Sequence, residues 1–361
     1  MASEKAKLET ILSVAEFEAL AQPCMSAMAF GYIVGGAADE LTLNANLEVW
    51  KGIRLAPRVL VDVSELDLSI ELLGEKFELP VLLAPAAFHR LCCAEGELAT
   101  VQGANQAGAS MVLSSFSTVA VEEITGAARR PVWFQLYFQE DRGLTRAIVQ
   151  RAEAAGCKAL CVTVDTPVLG ARHREARTRF ELPMDFRLPN LNLGAISHRP
   201  PRSAIYSELL NAKLNWKDVE WLCSVSKLPI LLKGVLNPED AAIATGAGVS
   251  GLIVSNHGAR NLDTLPSTAE ALPRVAERVN GKLTVLVDGG IRRGTDVLKA
   301  IALGANAVLI GRPYLYALAI AGAAGVARVI EILRTELMMA MALTGRTAIK
   351  QIDRSVLWNS D

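Results

Sequence analysis

The sequence predicts an α/β fold: a (β/α)8 (TIM) barrel with an N-terminal helical extension and a long loop after the fourth strand. Eight short apolar runs, each ending in small or polar residues, recur along the chain. Most are separated by helical patterns rich in Ala, Glu and Arg, the alternation that builds a parallel sheet with helices outside it. No second block of different composition follows, so eight units favour closure into a barrel. A doubly wound open sheet is the competing architecture, and the lack of a GxGxxG after the first strand weighs against it.

The elements follow in order within a single domain over 1–361. Residues 1–78 form the extension, with helical patterning over Leu8–Ala21, Met25–Gly35 and Asp39–Trp50, divided by Pro23 and Gly35-Gly36. Asp67–Leu79 alternates around Gly74 and reads as a hairpin. The barrel occupies 79–343. Its strands are expected at Leu79–Pro85, Ala109–Ser115, Pro131–Tyr137, Ala159–Asp165, Pro229–Val235, Gly251–His257, Thr284–Gly290 and Ala307–Pro313. Residues 166–215, with Pro183, Pro189, Pro200 and Pro201, break the rhythm and read as a lid loop before a helix at Trp216–Val225. A C-terminal tail covers 344–361.

Composition narrows the function. The chain has 361 residues, a net charge of -1 and scattered Lys and Arg, which argues against nucleic acid or an anionic membrane as partner. Mean hydropathy is +0.28, but no uninterrupted apolar run approaches the ~18 residues that span a bilayer. Six cysteines form no CxxC pair, so neither a disulfide framework nor a metal site is expected. The polar Met1–Lys7 does not read as a secretory signal. A cytoplasmic setting is the expectation.

In a parallel barrel the strand ends meet at one face. They carry Ala86-Ala87, Ser115-Phe116, Gln135 with Tyr137, Thr163 with Asp165, Lys233, Ser255 with His257, Asp288-Gly289-Gly290, and Gly311-Arg312. Two sub-sites separate on chemical grounds. Gly290, Arg292, Gly311 and Arg312, with a helix N-terminus behind them, suit a phosphate monoester. Asp288 would repel a phosphate and suits a ribityl or ribosyl hydroxyl instead. His257 paired with Asp165 suits a general base, and Arg260 and Arg172 with Tyr137 suit a small carboxylate. Tight turns and solvent-facing arginines are the plain structural alternatives. A phosphate-binding barrel without redox chemistry would keep Gly289, Gly290 and Arg312 but need neither His257 nor Arg260.

These motifs resemble the FMN-dependent (S)-2-hydroxy-acid oxidases and dehydrogenases, the group of glycolate, lactate and mandelate oxidases. The likeness is densest in Ser255-Asn-His-Gly-Ala-Arg-Asn-Leu-Asp263 and Val287-Asp-Gly-Gly-Ile-Arg-Arg-Gly-Thr-Asp-Val297, and extends from Tyr32 to Gly345. It implies FMN as cofactor and His257 as the base, its charged form stabilised by Asp165. Arg260, Arg172 and Tyr32 would hold the substrate carboxylate and Tyr137 its hydroxyl. Lys233 would stabilise the reduced ring, and Ala87, Ser115, Gln135, Thr163 and Ser255 would contact the isoalloxazine or ribityl chain. Asp288 would hold ribityl hydroxyls; Gly290, Arg292, Gly311 and Arg312 would bind the phosphate. The implied reaction oxidises a small 2-hydroxy acid to a 2-oxo acid, with reoxidation by molecular oxygen to hydrogen peroxide. A soluble dehydrogenase passing electrons to a quinone or other acceptor is the alternative, and a homotetramer is the implied assembly. Ala86 and Phe116 stand where plant glycolate oxidases carry threonine and tryptophan, so the pocket should favour L-lactate or a longer or aromatic acid over glycolate. Ala171 replaces a frequent arginine, and Cys92-Cys93-Ala94 a commoner Ala-His-Pro, the latter with no functional account.

Overall fold

The computed structural model describes residues 8–191, 205–207 and 210–358. Residues 192–204, 208 and 209 of the expected lid, and the outermost parts of the 1–78 and 344–361 segments, lie outside the described residues.

Strands β1 (Ile70–Leu72) and β2 (Glu75–Phe77) form the expected hairpin, with Leu72 opposite Glu75. Its two loop residues, Leu73 and Gly74, both have positive φ (53° and 81°), the requirement of a type I′ turn. The barrel strands are β3 (Val81–Leu83), β4 (Ser110–Ser114), β5 (Val132–Leu136), β6 (Leu160–Thr163), β7 (Ile230–Lys233), β8 (Gly251–Val254), β9 (Thr284–Val287) and β10 (Ala307–Ile310). All are parallel, and β10 closes the barrel against both β9 and β3. Each strand stops short of its sequence-predicted end. The polar residues beyond the last ladder pair have left the sheet and become the loops of the C-terminal face.

Alternation sorts the side chains. Leu82, Val112, Trp133, Cys161, Leu231, Ile253, Leu286 and Leu309 form one buried cluster with Leu72 and Phe77 of the hairpin. The hairpin therefore seals the N-terminal end of the barrel, where Phe77 meets Trp133 edge to face at 5.9 Å. The intervening residues pack outward against the helices. The 32-residue helix Arg312–Leu343 is kinked at Ala321–Gly322. It is long and apolar enough to cross a membrane, yet 56% of its apolar window is buried in the fold, as in a core helix.

The N-terminal extension differs in detail from expectation. Leu8–Ala21 is not one helix, because the regular part is Glu16–Ala21, with the Glu16 carboxylate accepting from the Ser13 N–H at 2.8 Å. Ala27–Val34 and Leu41–Gly52 follow. The latter is tied to the β8 loop at both levels of structure. Asp263 caps it by accepting from the N–H groups of Asp39, Leu41 and Thr42, and Asn46 exchanges two 2.9 Å amide bonds with Asn256. The extension is thus part of the wall around the strand ends.

Candidate active site

The loop after β8 runs through three successive left-handed residues, His257, Gly258 and Ala259 (φ 59°, 63° and 61°). A non-glycine residue in this region costs about 1–3 kcal/mol, so the surroundings must hold it. The Ala259 N–H donates to the Asn256 carbonyl and side chain, the His257 N–H to Ser255 Oγ, and the Ala37 N–H to the Ala259 carbonyl. A Cβ on Gly258 would lie 2.8 Å from Arg312 Nη1. The turn brings His257 over the strand ends.

His257 Nδ1 lies 2.9 Å from Asp165 Oδ1 and 3.3 Å from Thr166 Oγ1. The carboxylate can only accept, so the bonding pattern puts the ring proton on Nδ1 and leaves Nε2 as a lone-pair base. Burial pushes the His257 pKa below its ordinary 6.5, and Asp165 pulls it only part of the way back. Burial also opposes the charge on Asp165, but His257 and then Lys233 outweigh it and keep the carboxyl low. At neutral pH the pair is a neutral imidazole on a carboxylate.

Lys233 ends β7 almost fully buried. Its Nζ lies 2.9 Å from Asp288 Oδ2 and 2.8 Å from Ser255 Oγ. Burial disfavours its charge, but Asp288 and Asp165 outweigh that and raise its pKa. Asp288 Oδ1 is buried with no hydrogen-bond partner among the described residues.

His257, Lys233 and Asp288 border a cavity of about 390 Å³ at the C-terminal face. Gln135, Thr163, Lys233 and Asp288 form its floor; Ala86, Ala87, Phe116, Tyr137, Tyr32, Arg172, His257 and Arg260 line it on one side, and Gly290, Arg292, Gly311 and Arg312 on the other. Asp165, Ser115 and Ser255 do not line it. Asp165 stands behind His257, and Ser255 is spent on Lys233 and His257. Ser115 bonds Gln135, while its neighbour Ser114 faces the cavity. The period-2 alternation of β4 decides which serine points inward.

The anion end differs from expectation in one respect. The N-terminus of helix Gly294–Ala302 is capped internally: Asp296 accepts from the Arg292 and Arg293 N–H groups, and Glu336 from that of Gly294. Carboxylates of the chain itself thus already sit on most of the donors at that terminus. The helix terminus beside the cavity is that of Arg312–Leu343, directly after Gly311. Arg312 is braced on the Ile33 and Gly35 carbonyls, and neither it nor Arg292 has a carboxylate partner among the described residues. Gly290 serves packing as well. A Cβ there would collide with the Asn46 carbonyl, so glycine lets Leu41–Gly52 approach.

The other side is aromatic. Phe116 stacks on Tyr137 at 4.7 Å and lies parallel to Phe88 at 6.2 Å, and Tyr32 stacks on Phe180 at 4.3 Å. Phe88 and Phe180 are absent from the sequence reading. So is Glu175, whose Oε1 accepts from Arg260 Nη2 at 2.8 Å and Arg172 Nη1 at 3.3 Å. The sequence placed that arginine pair free for a ligand, whereas in the structure a carboxylate of the chain itself lies between them. Its i,i+3 spacing from Arg172 on a short helix was the available signal. Arg260 also donates to the Tyr32 and Gly35 carbonyls and lies 4.8 Å over the Tyr32 ring. Burial, then the neighbouring Arg172, lowers its pKa to about 10.

A parallel barrel whose strand ends combine a histidine–aspartate base, a buried lysine and, beside a glycine turn, arginines without a carboxylate partner among the described residues defines an anion-binding acid–base enzyme site. The FMN-dependent dehydrogenase family matches residues 21–359, and the chain belongs to that family. It is 50% identical over 356 residues to an L-lactate oxidase from Nostoc sp., covering 96% of this chain and 98% of that protein. It is 44% identical over 360 residues to glycolate oxidase 3 of Oryza sativa subsp. indica, covering 98% of each. Among solved structures, mandelate oxidase with (S)-2-phenylpropionate superposes with a TM-score of 0.89 at 38% identity, over 97% of this chain and 99% of that one.

The residues present suit FMN. The unpartnered, buried Asp288 Oδ1 can accept from a ribityl hydroxyl, Arg292 and Arg312 offer charge to a phosphate, and Lys233 is a fixed cation in the cavity floor.

Proposed function

We propose that the protein oxidises (S)-2-hydroxy acids to 2-oxo acids, favouring L-lactate or a larger acid over glycolate, with oxygen as electron acceptor and hydrogen peroxide as product. The observation that carries this reading is the lone Nε2 of His257, held by Asp165, in a cavity also lined by Arg260, Arg172 and Tyr137. Bound FMN supplies a two-electron acceptor. The chain supplies position and charge. Arg260 and Arg172 hold the substrate carboxylate and so set the α-carbon against His257. Tyr137, whose pKa burial raises well above its usual value, stays protonated and can donate to the substrate hydroxyl. His257 Nε2 takes the proton released on oxidation, and Asp165 stabilises the resulting imidazolium. Lys233 provides positive charge in the cavity floor where negative charge gathers. The aromatic wall and the small Ala86 leave room for an apolar substituent on the α-carbon, and the 50% identity to an L-lactate oxidase supports that choice. Assembly as a homotetramer is part of the same proposal.

The test is anaerobic stopped-flow mixing of the yellow protein with a panel of 2-hydroxy acids, followed by oxygen. Bleaching by L-lactate or L-mandelate and rapid reoxidation with stoichiometric peroxide is the expected result. No bleaching by any acid would overturn the reading, and bleaching without oxygen reactivity would reassign the acceptor.

A further inference from the structure

Glu175 sits where the proposed function needs a vacancy. A planar guanidinium grips a carboxylate best through parallel N–H donors, or by sharing it with a second arginine. Here one oxygen, Glu175 Oε1, takes a donor from each of Arg260 and Arg172. The remaining bonds of Arg260 go to the Tyr32 and Gly35 carbonyls, and those of Arg172 to the Arg260 carbonyl and Asn261. An incoming carboxylate therefore meets arginines that already hold one.

The same residue stands at a boundary. Glu175 borders the main cavity and also a neighbouring one of about 340 Å³, and Leu169, Arg172 and Phe180 are shared between the two. Glu175 lies on His173–Arg177, a helix of five residues, and its side chain remains 17% exposed. It is anchored by its ion pairs and not by packing on every side, so it can swing out when they are replaced.

We propose that Glu175 is a carboxylate gate: in the free enzyme it occupies the arginine pair, and the substrate's carboxylate displaces it from Arg260 and Arg172 as it passes between the two cavities. This makes Glu175 a positioning residue that sets affinity for acids, and it rests on the assignment of the arginine pair to substrate binding. The exchange is like for like, one carboxylate for another, so the charge beside the arginine pair is the same before and after it. An amide analogue has no charge with which to displace Glu175.

The test compares flavin-loaded wild type, Glu175→Gln and Glu175→Asp, titrated with propionate and with neutral propionamide while flavin absorbance reports binding. Aspartate keeps the charge but is one methylene too short to reach both arginines. Removing an internal competitor that fills the site about nine-tenths of the time tightens apparent binding about 10-fold. That gain is expected for propionate in both variants and for propionamide in neither. Glu175→Asp binding propionate like wild type would reduce the effect to bulk charge and overturn the gate. Weaker propionate binding in Glu175→Gln would make the residue a strut for the arginines and also overturn it. The KM of L-lactate against that of lactamide gives the same comparison by turnover. Failure of every hydroxy acid to bleach the flavin, with the propionate pattern intact, would sink the proposed activity and leave the exchange standing. Normal bleaching with all three proteins binding propionate alike would sink the gate alone.

Discussion

The two ends of the barrel are built from the same eight strands and do opposite things. Toward the N-terminal end, the inward side chains form a largely apolar cluster and the β1–β2 hairpin seats Leu72 and Phe77 as a plug. At the C-terminal end, a few residues along the same strands, lie Lys233, Asp165, Asp288 and His257, two of them with a buried oxygen that has no partner among the described residues. Polar burial of that kind is costly, and His257 and Ala259 add left-handed backbone. One end supplies stability that the other end spends.

That division can be broken most sharply at His257. His257→Gln keeps a donor for Asp165 but lacks a basic nitrogen, so flavin reduction by a 2-hydroxy acid should fall about 10²–10⁴-fold while bound flavin and the melting temperature stay near wild type. Near-normal reduction would refute the assigned role. Phe77→Ala probes the opposite end. Loss of a buried phenylalanine against Trp133 should cost about 3–5 kcal/mol of unfolding free energy, measured by denaturant titration, with the reduction rate of the folded protein unchanged. A parallel fall in rate would show that the plug shapes the site as well.

The sequence made the barrel legible because its signals are local: eight apolar runs of the right length, each followed by polar residues. Strand ends were overrun, since periodicity cannot tell the last paired residue from the first loop residue. Where the site is built from those ends it was legible too, as with His257, Lys233 and Asp288. What was missed depends on the third dimension. Glu175 meets Arg260 across 85 residues, Asn46 meets Asn256 across 210, and Glu336 takes the Gly294 donor from a different helix. The choice between Ser114 and Ser115 turned on the facing of one strand, which a run of buried residues does not display. Buried Cys92 lies near Glu97, which pins the His89 and Thr118 backbones, and nothing in the structure explains the Cys92-Cys93 pair beyond that.

pH separates the two ends next. His257 has a folded pKa below its unfolded value of about 6.5, so the folded state binds fewer protons there. The stability this contributes is present above that value and is lost as pH falls through the folded pKa. kcat/KM should decline over the same window, because only the neutral imidazole accepts a proton. Asp165→Asn removes an upward pull on His257, so the acid limb should move to lower pH even as the rate drops. Phe77→Ala should leave the limb in place. A limb that ignores Asp165 would assign the titration to another group.

The smallest effect concerns the pocket wall, where the active end borrows the apolar logic of the sealed one. Phe116 stacks between Tyr137 and Phe88, and Ala86 lines the cavity beside it. Enlarging either residue removes volume without touching His257 or the arginines. Phe116→Trp and Ala86→Thr should therefore shift the ratio of kcat/KM for L-lactate to that for glycolate toward glycolate, by about 1–3 kcal/mol in discrimination at most. The shift should come through KM for the larger acid, since the carboxylate and hydroxyl contacts common to both substrates are untouched. L-Mandelate should lose more than L-lactate in the same variants. An unchanged ratio with all three acids would place substrate choice elsewhere on the wall, with Phe180 and Leu169 as the next residues to vary.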